Sequence, residues 1–421
     1  MRILHITPDY YPAMGGAELH IKEFSERLLA RGHTVSVLAM NSRCLPIQGS
    51  ERSTSSEVIN GVHVHRLNNA YALHNRLFNI RGAHRVMRTL LTAEAMEVFS
   101  TSPFSLRALL FTLRAGADVV AVMNWYHGSL AAQACVARSM SNFALVGIPL
   151  LHIERDWANY GLIMRMLSRC DAVATNTAFE KEFIEQRSSQ RNVHVTGAGV
   201  EPADFADADG ATIRRRHQLA DAPVVGYVGR MQASKGTVDV IEAMRVVWRH
   251  RPDARLLLAG SPLPPDPRCD VEVGAALSQL SDSERSNVVC LGGFKDSDKP
   301  SIFAALDIFA MPSVAESFGI AYLEAWLCGT AVIGASIGST SCVIDDGVNG
   351  LLVPPRDPDR LAKAILRLLG DPDLRQRMGA AGRAKTLSDF TWDKSTDRIE
   401  RVYTMAHDTL LASRGRARQG A

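Results

Sequence analysis

The sequence contains no run of about 18 apolar residues, so no segment is long enough to cross a bilayer as a helix. It also lacks any Cys-x-x-Cys pair. Its 7 cysteines, Cys44, Cys135, Cys170, Cys269, Cys290, Cys328 and Cys342, are scattered, several of them in apolar surroundings. That pattern fits buried, reduced thiols in a cytoplasmic protein rather than a disulfide framework or a zinc site. There is no excess of one charge: 47 basic side chains face 44 acidic ones, for a formal charge of +3. A balance that small does not imply a nucleic-acid partner. No Gly-x-Gly-x-x-Gly follows the first apolar run, which excludes the nicotinamide or flavin fingerprint, and no Gly-Lys-[Ser/Thr] loop is present. Four Asp-x-Asp triplets occur, at Asp207/Asp209, Asp296/Asp298, Asp357/Asp359 and Asp371/Asp373. The last two enclose Pro358 and Pro372 and read as helix starts; all four are taken as non-ligands. The opening residues, MRILHITPDYYP, read as a strand and not a secretory leader, because His5 breaks the apolar run.

What is present is the composition of a folded chain. At 421 residues, 46% hydrophobic and 22% charged, it has room for two or three domains. Short apolar runs alternate with amphipathic segments. The runs cover residues 2–7, 34–40, 62–66, 117–123 and 149–153, then 224–229, 255–259, 287–291, 308–311 and 331–334. This is the rhythm of βαβ units and parallel sheets. Residues 45–57 are polar and turn-rich. Residues 71–114 differ from the rest, with Arg76, Arg81, Arg85, Arg88, Arg107 and Arg114 among Leu77, Phe78, Val86 and Leu90. A basic amphipathic stretch can lie on an anionic membrane surface. It can equally be a helical pair with its basic side in water, or one facing an anionic acceptor.

The chemistry concentrates in residues 314–329, VAESFGIAYLEAWLCG. Glu316 and Glu324 are separated by seven residues, with Ser317, Phe318, Gly319 and Ile320 following the first. On one helix, eight positions would set the two carboxylates roughly 80° apart. A better arrangement puts Glu316 in the loop after a strand and Glu324 about a turn inside the helix. Both can then face one ligand at the carboxyl end of a parallel strand. The unpaired amides near Gly319 suit a phosphate, and a neighbouring carboxylate suits sugar hydroxyls. Upstream, Gly229-Arg230 ends a strand and Lys235-Gly236 opens a helix, a pair of cations able to clamp a diphosphate. Gly15-Gly16 lies between the first strand and helix, where a backbone can approach a phosphate. His127 follows the strand at 117–123. The alternatives are ordinary ones: two chance glutamates on a solvated helix, two surface cations, a tight turn and a structural histidine.

Together these motifs resemble the retaining glycosyltransferases of family 4, with their Glu-x7-Glu motif. The resemblance is close in the C-terminal half and weaker across residues 41–116. It implies an α/β GT-B fold, with two Rossmann-like domains facing across a deep cleft. An acceptor domain would span residues 1–200 and a nucleotide-sugar domain residues 201–390. Residues 391–421 would form a helix crossing back to the first domain, ending in a short basic tail. It further implies transfer of a hexose-type sugar from a UDP- or GDP-sugar to a glycan, lipid-linked or small-molecule acceptor by front-face attack. His127, Arg230, Lys235 and Glu316 would be catalytic. Gly15, Gly16, Gly229, Phe294, Ser317, Phe318, Gly319, Ile320 and Glu324 would hold the donor, with Arg230, Lys235 and Glu316. Glu18 and Asp156 would face the acceptor. Relatives often have His-Asp where this chain has Arg155-Asp156, and Gly-Gly where it has Gly338-Ser339. No cofactor or metal is expected. A sugar-nucleotide epimerase, or a nucleotide-sugar-binding protein without activity, would carry the same fold.

Overall fold

The computed structural model describes residues 1–13, 15–39, 56–67, 105–125, 128–154, 161–219, 221–264, 266 and 268–419. It divides into two compact units, residues 1–197 with 392–421, and residues 198–391.

The first unit is built on β1 (Arg2–Thr7), β2 (Thr34–Ala39), β3 (Ser56–Ile59), β4 (Val62–Arg66), β5 (Val119–Met123), β6 (Ala144–Ile148), β7 (Ala172–Thr175) and β8 (Val193–Val195). They form a sheet in the order β3-β4-β2-β1-β5-β6-β7-β8. All neighbours are parallel except β3 and β4. β5, β6 and β7 are buried at every position. Strands covered on both faces must be apolar throughout, which is why they read as continuous runs. β3, absent from the sequence reading, is a half-exposed edge strand. Asn60 and Gly61, with φ of 48° and 85°, turn it into β4 as a two-residue hairpin. The strand expected at 149–153 lies instead at Ala144–Ile148. Pro149 has no N–H for the ladder, and Leu150 and Leu151 bury their side chains beyond the strand end. The chain leaves β1 toward β2 and later re-enters on its other side with β5, so the winding reverses at β1.

The helix Trp392–Gln419 belongs to this unit and packs on the helix Gly16–Ala30 and on β6 and β7. It continues through residues 414–419, expected to be a short basic tail; Arg414, Arg416, Ala417, Arg418 and Gln419 are good helix formers, and only Gly415 is not. His5 ties it to the core, with Nδ1 2.8 Å from Ser25 Oγ and Nε2 3.0 Å from the Tyr403 hydroxyl. Arg31 pairs with Asp397 at 2.8 Å and with Glu400 at 2.7 Å. His20 lies under Trp392 and edge-on to Phe24.

The second unit holds β9 (Val224–Val228), β10 (Arg255–Ala259), β11 (Val288–Gly292), β12 (Ile308–Met311), β13 (Ala331–Ala335) and β14 (Gly350–Val353). They form an all-parallel sheet ordered β11-β10-β9-β12-β13-β14. The chain steps outward from β9 to β11, then returns to the far side of β9 with β12. The switch of direction falls between β9 and β12, and ligands of open α/β sheets bind outside the carboxyl ends of such strands. Asp357 and Asp371, from two of the Asp-x-Asp triplets, cap helices with Pro358 and Pro372 in the first turn. Of the six described cysteines, all free, Cys135 and Cys170 are buried, Cys269, Cys328 and Cys342 are half-buried, and Cys290, on the edge strand β11, is exposed rather than buried as expected.

Burial holds the His5 and His20 imidazoles down to about 3, so both are neutral in the folded unit. The unfolded chain takes up their protons near the ordinary value of 6.5. It therefore binds more protons than the folded state below that pH, and stability falls as pH drops from about 6.5 toward 3. Burial pushes Glu180 up to about 7, which acts in the opposite direction. His20→Leu leaves Glu180 in place and should flatten the acid-side loss of stability in denaturant titrations. An unchanged slope would contradict the assignment.

Candidate functional site

The site in the second unit grows from the ends of β9 and β12. β9 is buried throughout and ends at Gly229 and an exposed Arg230. The Tyr227 hydroxyl donates to the Arg230 carbonyl at 2.6 Å, which fixes the turn. A 3-10 turn, Ala233–Lys235, leads through Gly236 into the helix Thr237–His250. Gly236 has φ of +80°, and a Cβ there would lie 2.6 Å from the Pro312 carbonyl oxygen. The glycine lets the loop after β9 close onto the loop after β12. Two hydrogen bonds stitch the loops together: Val314 N–H to Ser234 O at 3.1 Å, and Ser313 Oγ to Lys235 O at 3.4 Å.

Across this seam Lys235 Nζ lies 2.7 Å from Glu316 Oε1 and 3.4 Å from the Ala315 carbonyl. The two side chains are only 15% and 10% exposed. Attraction between them is poorly screened at such burial, and removing either one would strand the other. The Glu316 carbonyl accepts from Ser339 Oγ at 2.5 Å. Burial raises the Tyr227 phenol and the Glu316 charge adds to it, while the Thr237 hydroxyl and the Arg230 charge act to lower it. Tyr322 is raised by burial and by Glu316 as well, and its hydroxyl donates to Met311 O at 2.6 Å.

The helix Ile320–Leu327 follows Gly319, which has φ of +96° and no side chain to cap the helix. The helix Thr237–His250 begins at Gly236 in the same way. Both starts leave backbone N–H groups without a side-chain partner, with the positive ends of their dipoles at the carboxyl ends of β9 and β12. Phe318 is buried edge-on to Phe390, with ring centres 5.4 Å apart, and pins the loop. Ser317 and Ile320 are half-buried beside it. Glu324, one turn into the helix and 8% exposed, places Oε1 3.0 Å from Lys299 Nζ. Phe294 is half-buried in the loop that leads from β11 to Lys299.

The structure thus brings together Gly229, Arg230, Lys235, Glu316, Ser317, Phe318, Gly319 and Ile320 around the ends of β9 and β12. Glu324 stands in the same helix and Phe294 in the loop before its partner lysine. Gly15, Gly16 and Glu18 lie in the first unit, at the start of the helix Gly16–Ala30, where the Glu18 carboxylate rests against the Gly15 backbone. His127 and Asp156 lie outside the described residues, as does residues 68–104 of the basic stretch. The sequence reading missed Lys299, Ser339 and Tyr227. Only Ser339 carried a signal, as a departure from Gly-Gly. Among the described residues no cluster of three or more His, Cys, Asp or Glu is placed to hold a metal ion, and no helix is long and apolar enough to cross a membrane.

This architecture is matched among known proteins. The sucrose-phosphate synthase of Thermosynechococcus elongatus superposes with a TM-score of 0.74 at 20% identity, over 97% of this chain and 100% of that one. A protein of Anabaena, solved with UDP and glucose, superposes with a TM-score of 0.71 at 20% identity, over 96% and 99%. The two sheets are therefore the two Rossmann-like domains of the GT-B fold. The family model described as Glycosyltransferase Family 4 matches residues 14–204. The model described as Glycosyl transferases group 1 matches residues 209–385. A D-inositol 3-phosphate glycosyltransferase of Stackebrandtia nassauensis is 33% identical over 252 residues, 57% of this chain and 55% of that protein. The chain thus spans about half the length of the curated relatives it matches first. With both units covered, the chain belongs to glycosyltransferase family 4.

Gly236→Ala tests the seam between the two loops. A side chain there meets Pro312 in a backbone conformation that disfavours it, which should cost roughly 1–3 kcal/mol. Unfolding of the variant in denaturant, with no loss of stability, would contradict the close approach.

Proposed function

We propose that the chain is a retaining glycosyltransferase. It moves a hexose-type sugar from a UDP- or GDP-sugar to a hydroxyl of a glycan, sugar phosphate or lipid-linked acceptor. The observation that carries this reading is the Lys235–Glu316 pair at the switch between β9 and β12, beside two uncapped helix starts. Here a cation and a carboxylate hold one another at the place where a diphosphate and a sugar would meet. A diphosphate draws the Lys235 ammonium and the helix-start amides, and Glu316 is left to accept from the sugar hydroxyls. Arg230, exposed beside Tyr227, adds a second cation to the departing diphosphate. Charge on that group grows toward the transition state, so these contacts contribute to rate as well as to binding. Glu324 takes the ribose hydroxyls.

The leaving phosphate takes the acceptor's proton in front-face attack, and no protein nucleophile is assigned. Two cations and two helix dipoles supply the neutralisation, so the reaction needs no metal in this account. His127 would meet the sugar, and Gly15, Gly16, Glu18 and Asp156 the diphosphate and acceptor. We place the protein in the cytoplasm, with the basic stretch at 71–114 suited to an anionic membrane face if the acceptor is lipid-linked.

Lys235→Ala and Arg230→Ala should each raise the barrier to transfer by roughly 2–4 kcal/mol. The assay is release of nucleoside diphosphate from UDP-glucose and GDP-mannose with an acceptor panel. Near-normal rates in both variants would remove the cations from the reaction. Epimerised donor, with no acceptor consumed, would favour the epimerase instead.

A further inference from the structure

We propose that Lys299 is the positioning residue for Glu324 and thereby sets how tightly the ribose of the donor nucleotide is held. The inference deepens the reading of the site as a nucleotide-sugar site and rests on it.

Glu324 is almost wholly inside the protein, with its side chain 10% exposed. Its one hydrogen-bonding partner among the described residues is Lys299, whose Nζ lies 3.0 Å from Oε1. That leaves Oε2 to accept from a ligand. A lone carboxylate on a flexible stem would sample several orientations. Anchoring one oxygen fixes the plane of the group and so the direction in which the other accepts. Such preorganisation raises affinity by removing the cost of ordering the side chain on binding.

Lys299 is itself well held. It opens the helix Lys299–Ala304, with Pro300 in the first turn, and is 22% exposed at the side chain. On its solvent side, Asp296 Oδ1 lies 3.6 Å from Nζ. Burial lowers the ammonium's pKa, but the Glu324 charge and hydrogen bond, with Asp296 adding to them, more than offset this and leave it raised. Lys299 therefore stays charged throughout the neutral range. The pair also joins two segments far apart in the chain. One runs from β11 through Phe294 and the 3-10 turn Asp296–Asp298, and the other is the helix Ile320–Leu327. The loop that would border the base and the carboxylate that would hold the ribose are thus one linked assembly.

The test compares UDP and GDP with their 2′,3′-dideoxy forms by calorimetry, on the intact chain and on Lys299→Met and Lys299→Arg. A hydrogen bond to a charged group is worth roughly tenfold or more in affinity. The unaltered protein should prefer the ribose form by about that factor. Lys299→Met should lose most of this preference, with affinity for the dideoxy form within about twofold of the unaltered protein. Lys299→Arg keeps the charge on a differently shaped donor and should retain part of the preference. It also serves if the methionine variant does not fold. A purely stabilising ion pair would lower affinity for both forms equally, or leave both unchanged; either result in a folded variant overturns the inference alone. If the unaltered protein binds neither UDP nor GDP, the donor-site reading fails, and the inference with it.

Discussion

The ion pair of Lys235 and Glu316 closes the seam between the loops after β9 and β12, and the rest of the candidate site depends on that seam. The winding of the sheet reverses between these strands, and open α/β sheets bind ligands at such a reversal. Gly236 allows the backbone of one loop to reach the other, and the lysine then spans the gap. Tyr227 and Ser339 hold the backbone on either side. Without the pair, the buried Glu316 carboxylate would lose the full counter-charge of Lys235 and be left with the partial positive charge of the two helix starts.

Each glutamate of the motif is matched by its own lysine, Glu316 by Lys235 and Glu324 by Lys299. Buried pairs of this kind contribute little net stability, because desolvation offsets most of the attraction. Their consequence is geometric: each fixes a carboxylate that would otherwise be costly to keep charged and hard to orient. The two pairs differ in what binding asks of them. In the proposed donor site Lys235 would have a second task at the diphosphate and would exchange partners, whereas Lys299 would have no such demand and would keep its carboxylate. The first unit uses the opposite device. His5 and His20 are buried neutral, and the helix Trp392–Gln419 is held by packing and by exposed ion pairs at its rim.

Much of this was legible in the sequence because parallel strands buried on both faces are short, apolar and ended by Pro or Gly. Val224–Val228 and Ile308–Met311 stand out in that way, and the chemistry-bearing residues follow directly at their carboxyl ends. The strand at Ala144–Ile148 is hard to place from sequence because Leu150 and Leu151 continue the apolar run past Pro149. The hairpin at Ser56–Ile59 was passed over although Asn60-Gly61 marks it, since an edge strand with exposed positions carries little apolar signal. Lys299 could not be found from sequence at all. It pairs with Glu324 only through the packing of two helices, 25 residues apart in the chain, and no spacing encodes that contact.

The most direct measurement is hydrogen exchange across the whole chain, with and without UDP-glucose and GDP-mannose. A donor held by the two lysine–glutamate pairs should slow exchange of the amides at residues 229–237 and 316–324, for one nucleotide more than the other. Protection confined to other segments, or none with either donor, would contradict the assignment of this seam as the donor site.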